Sequence, residues 1–83
     1  MNMREERLRL MGRLQELQRE LKRLENEADG YVMTIRTYLP PYSDLADLDQ
    51  LDVAAESMRL LVACRNKWRE VSAKAEALER DLG

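Results

Sequence analysis

Apolar residues recur along the first half of the chain at alternating steps of four and three: Leu10, Leu14, Leu17, Leu21, Leu24, Ala28, Tyr31, Ile35 and Tyr38. Such a ladder puts a single apolar seam along an α-helix, and a repeat of 3.5 residues favours left-handed winding around a partner helix. The positions between the rungs hold mostly Arg, Glu, Gln and Lys, all good helix formers. Asp29-Gly30 reads alone as a turn or a break, but the ladder keeps its phase across it. The pattern therefore predicts one continuous helix over about residues 3–38.

Leu39-Pro40-Pro41-Tyr42-Ser43 ends this helix, because each proline disfavours helical geometry in the residue before it. The bend is expected over residues 39–46, with Tyr42 packing over the end of the molecule. Asp47 followed by Gln50 resembles a capping box, and Asp49 and Asp52 suit the positive end of a helix dipole. A second helix is expected over about residues 47–82. Its pattern is less regular. Leu48, Leu51, Ala55 and Met58 keep the alternation, as do Leu61, Cys64, Trp68, Val71, Ala75, Leu78 and Leu82. The two stretches join through consecutive steps of three, which reads as a slip that rotates the seam around the helix.

Two helices of similar length on a short Pro-Pro connection most simply fold back on each other. The expected fold class is all-α, an antiparallel two-helix coiled-coil hairpin forming a single domain over residues 1–83. With the fold-back centred near residue 43, contacting residues have numbers summing to about 86. Ala28 then meets Met58, Tyr31 meets Ala55, Trp68 falls near Leu17 and Leu21, and Leu24 falls near Leu61 and Val62. Apolar residues are left off the seam: Leu8, Met11, Val32, Met33 and Leu39 on the first helix, and Leu60, Val62 and Ala63 on the second. A helix apolar on several sides needs burial from more than one direction. Pairing of hairpins into a homodimeric four-helix bundle, or docking on another protein's helices, is the expected outcome.

Charge adds an axis to this rod. The chain of 83 residues has a formal net charge of −2, distributed as +3 over residues 1–24, −7 over 25–56 and +2 over 57–83. A hairpin sets the first and third segments side by side, so its open end is basic and its bend end acidic. That asymmetry has two uses, orienting one hairpin on another or touching phosphates through Arg4, Arg7, Arg9, Arg13, Arg69 and Lys74. A pI of 5.2 stands against nucleic acid as the partner. The ordinary role of most of these charges is a solvated face, with Glu16 and Glu20 opposed by Arg19 and Arg23.

Composition narrows the chemistry. The chain has no His and one Cys, which removes the usual general base, an internal disulfide and a multi-Cys zinc site. Cys64 has no His to activate it and sits among apolar residues, as an inert buried thiol does. Asp44, Asp47, Asp49 and Asp52 lack the glycine turn and closing Glu of a calcium loop. Leu39-Pro40-Pro41-Tyr42 lacks the PxxP spacing of a proline-rich ligand. No catalysis, cofactor or metal is expected. No run approaches the ~18 apolar residues of a membrane span, and Met1-Asn2-Met3-Arg4-Glu5-Glu6 lacks the apolar core of a secretory signal. A single unpaired Cys agrees with a reducing cytoplasm. The expected function is a non-enzymatic protein–protein interaction module of the assembly, adaptor or chaperone type. The residues expected to carry it are Met58, Leu61, Val62, Arg65 and Trp68, with Met11 and Val32 also left unpartnered. The alternative is a nucleic-acid-associated protein using the basic open end.

Overall fold

The computed structural model describes residues 2–39, 45 and 50–83. Helix α1 spans Met3–Tyr38 and helix α2 spans Leu51–Leu82. Asn2 caps α1, its side chain accepting a hydrogen bond from the Arg4 backbone N–H at 2.9 Å, with Glu5 and Glu6 in the first turn. Such a cap satisfies one of the N–H groups that a helix start leaves free. The helix runs through Gly30 without interruption. At its other end the Leu39 N–H still reaches the Ile35 carbonyl at 2.8 Å, with non-helical torsions at Leu39 itself.

Among the described residues helix α2 begins at Leu51. Gln50 occupies its N-cap position and gives no side-chain cap hydrogen bond. The rest of the expected capping box, the Pro-Pro bend, Tyr42, and Asp44, Asp47 and Asp49 lie outside the described residues. Gly83 closes the helix through its N–H on the Glu79 carbonyl at 2.8 Å.

The helices run antiparallel and pack against each other along their length. Leu10 meets Leu82 at one end, while Leu24 and Ala28 share a groove with Leu61 and Cys64 nearer the other. The result is a rod of 67 × 16 × 14 Å. Its radius of gyration is 19.0 Å, against about 12 Å for a compact globule of this length. A two-helix rod has no third element to close over its core. Among the described residues Leu17, Leu24, Cys64, Val71 and Ala75 form the buried cluster, with Leu14, Leu21, Ala28, Tyr31, Trp68 and Leu78 packed half-buried around it.

All nine rungs of the α1 ladder are buried or half-buried, as the periodicity requires. In α2 the expected seam holds from Leu61 to Leu82 but fails before it. Ala54 and Ser57 are buried at 4% and 7% exposure, whereas Ala55 and Met58 face outward, Met58 at 47%. The seam is Ala54, Ser57, Leu61, Cys64, Trp68, Val71, Ala75, Leu78 and Leu82, unbroken, and the phase slip does not occur. Packing against α1 explains the choice. Leu24 lies level with Cys64, whose Sγ donates to its carbonyl oxygen at 3.1 Å. Stepping one heptad toward the bend on each helix sets Tyr31 level with Ser57, and Ile35 close to Ala54. Bulky residues on α1 accept small ones on α2 where the backbones approach. Ala55 is exposed and gives way to Ser57 opposite Tyr31, whereas Met58, off the seam, still shares a groove wall with Ala28. No buried side-chain nitrogen or oxygen among the described residues lacks a hydrogen-bond partner.

Candidate functional site: an apolar groove at mid-rod

Part of the off-seam apolar set gathers on one flank of the rod, while Leu8, Met33 and Ala63 are exposed elsewhere and Leu60 borders the seam on the other side. On α1, positions 11, 18, 25 and 32 lie to one side of the seam, and on α2 positions 51, 58, 65 and 72 lie to the same side of the hairpin. The opposite flank is laced with ion pairs on each helix. Arg23 bridges Glu20 at 3.6 Å and Glu27 at 2.6 Å, Arg13 reaches Glu16 at 3.4 Å, and Lys67 reaches Glu70 at 3.8 Å. The expected opposition of Glu20 by Arg23 is present, with Arg23 shared with Glu27, whereas Glu16 pairs with Arg13 in place of Arg19.

The first flank opens into a groove of about 520 Å³ between the helices. Leu24, Glu25 and Ala28 form its α1 wall. Met58, Leu61, Val62, Arg65 and Trp68 form its α2 wall, and Cys64 also lines it. The groove exists because Ala28 is too small to close the space opposite Leu61, while Met58 and Val62 point past the seam. Trp68 is held in place from across the groove, its indole Nε1–H donating to Glu25 Oε1 at 3.3 Å. This bond leaves the aromatic face of Trp68 available while its polar edge is satisfied.

Cys64 is buried and free. Burial pushes its thiol pKa up, Glu27 adds to the rise, and Arg23 and the Ala28 N–H oppose it. A thiol kept protonated is a weak nucleophile. On the outer face of α2, Glu56 and Arg59 pair at 2.5 Å, and hydrogen bonding to Arg59 holds the Glu56 carboxyl below its usual pKa.

Five of the seven residues expected at an interface, Met58, Leu61, Val62, Arg65 and Trp68, thus meet in one groove. Met11 and Val32 do not line it. Met11 is exposed toward the open end, and Val32 is half-buried on the bend side of the groove. Glu25 is the wall residue the sequence pattern missed. The signal for it was its place beside Leu24 on the flank that a fold-back turns toward Trp68. The basic residues are not gathered in the same way. Arg4 and Arg7 share a shallow cleft at the open end with Glu6 and Asp81, two carboxylates that offset them. Arg13 is paired with Glu16, and Arg9, Arg69 and Lys74 are exposed at separate positions.

Comparison with protein-family models, with curated proteins and with solved structures gave no match. Among the described residues no helix is long and apolar enough to cross a membrane, and no group of three or more His, Cys, Asp or Glu is placed to hold a metal.

Proposed function

We propose that this chain is a non-enzymatic interaction module that works by seating a helix of a protein partner in the groove beside Trp68. The observation that carries the reading is the pairing of an apolar, walled groove with an ion-paired opposite flank. Apolar side chains left open in a row cost solvation free energy, and a helix laid along them removes that cost. Trp, Arg and Met are residues that concentrate binding energy at interfaces, and here they share one wall. The hairpin is coiled-coil-like in its three-four seam, with a second apolar line left for the partner. Assembly, adaptor or chaperone-like roles in the cytoplasm are the settings that such a surface fits.

The test uses Trp68 as its own reporter, because it is the only Trp in the chain. Titration with a synthetic amphipathic Leu/Ala helix is expected to shift Trp68 emission to shorter wavelength and to saturate. Val62→Glu, on the exposed rim, is expected to weaken that response at least tenfold with the helix content unchanged. An unchanged Trp68 emission, together with binding to duplex DNA that falls steeply with salt, would replace this reading with the nucleic-acid alternative.

A further inference from the structure

The groove sits near the middle of the rod. Residues 24–28 lie about 35 Å from the start of α1 at 1.5 Å per residue, roughly half of the 67 Å long axis. A twofold axis set across the rods at a central site lets two antiparallel copies overlap along their whole length. Resting on the helix-docking reading and narrowing it to one occupant, we infer that the groove takes α2 of a second copy of this chain, in an antiparallel homodimer.

Three observations favour self-pairing. The outer line of α2, Leu51, Ala55, Met58, Val62, Arg65 and Arg69, repeats the alternation of four and three and forms a ridge next to the groove. Ridges of one helix pack into the groove beside another, so each copy offers both halves of the contact, as an isologous interface requires. An axis near residue 60 sets Met58 against Val62 of the second copy and brings the Leu51–Ala55 end of one ridge onto the Arg65–Arg69 end of the other.

Charge selects the same orientation. The ridge is flanked by Asp52 and Glu56 in its first half and carries Arg65 and Arg69 in its second. Among the described residues, Glu25, Glu27, Asp29, Asp52 and Glu56 come to lie along the basic segments of the other copy. Parallel pairing would set these acids on each other, a repulsive arrangement.

Area is sufficient. The chain exposes 6658 Å², where a compact monomer of this mass exposes about 5,200 Å². The ~800 Å² per partner of a standard stable interface would take about an eighth of the surface the chain exposes.

Sedimentation equilibrium of the full chain at tens of micromolar, together with circular dichroism, tests the inference. The expected mass is twice the 9.8 kDa of the chain, with Val62→Glu returning to a helical monomer. Arg65→Glu should weaken association at least tenfold at low salt, and adding Glu56→Arg should restore it. A wild-type chain that stays helical and monomeric overturns self-pairing. If that monomer still shifts its Trp68 emission with the amphipathic peptide, the docking reading stands, and if it does not, both fall. Orientation is read from spin labels at Gln50→Cys in a Cys64→Ser background. Antiparallel pairing about residue 60 separates them by roughly 30 Å, whereas a separation under about 15 Å is the parallel arrangement and overturns the proposal.

Discussion

Two glycines sit inside α1 where nothing requires them. A Cβ built on Gly12 or Gly30 meets no atom within 4 Å, and neither residue adopts a torsion that excludes other side chains. Glycine in a helix interior loses more backbone entropy on folding than alanine does. Gly12→Ala and Gly30→Ala should therefore each stabilise the chain by about 0.5–1 kcal/mol, read from the midpoint of urea unfolding. A neutral or negative change at Gly30 would mean that the helix is bent there. Cys64 behaves differently. Its pKa is raised above the usual 9.0 in the folded chain. As pH climbs past the usual value, the unfolded thiol ionises first and the unfolded state binds fewer protons than the folded one. Stability is thus fully present below that range and falls as pH rises through it. Cys64→Ser should flatten this alkaline decline relative to wild type, and alkylation of Cys64 at neutral pH should be slow until denaturant is added.

At the scale of the element, the two helices were legible to different degrees. Every rung of α1 from Leu10 to Tyr38 is apolar and most are large, so periodicity located the seam and carried it correctly through Gly30. In α2 the same reasoning succeeded from Leu61 onward, where Trp68, Val71 and Leu78 leave little choice. It failed at the start because it gave the larger Met58 to the core and left Ser57 outside. Size and polarity of a single residue do not fix its side of a helix when the facing residue is Tyr31 or Ile35, and small residues win where bulky ones already fill the space. The groove was half legible for the same reason. Its α2 wall follows from the apolar surplus, whereas the gap at Ala28 and the reach of Glu25 to Trp68 depend on the register between helices. A pair of adjacent substitutions separates the two seams. Ala54→Leu should overpack the interface and destabilise by about 1–3 kcal/mol, while Ala55→Leu should be nearly neutral by thermal melting. The reverse order would restore the displaced seam. Leu24→Ala, at a position 4% exposed, should cost about 2–5 kcal/mol.

The whole molecule is a thin rod whose core is one residue deep. A small domain with so little enclosed volume is marginal on its own, and its basic and acidic residues are concentrated in different segments of the sequence. Both properties give association a thermodynamic role, because binding to the folded form alone stabilises it by mass action. Unfolding midpoints should consequently rise with protein concentration, and added salt should reduce that rise by screening the attraction between basic and acidic segments. A midpoint independent of concentration over two decades would describe a self-sufficient hairpin.

The central claim is that one face, around Trp68, receives a helix, and methyl NMR of the methionines tests it most directly. Met58 lines the groove, Met33 is 68% exposed and lies off the groove wall, and Met3 lines the cleft at the open end. With the ε-methyl groups labelled and the amphipathic helix added, the Met58 signal should move and saturate while those of Met3 and Met33 stay in place. Movement of Met3 with Met58 unchanged would contradict the account.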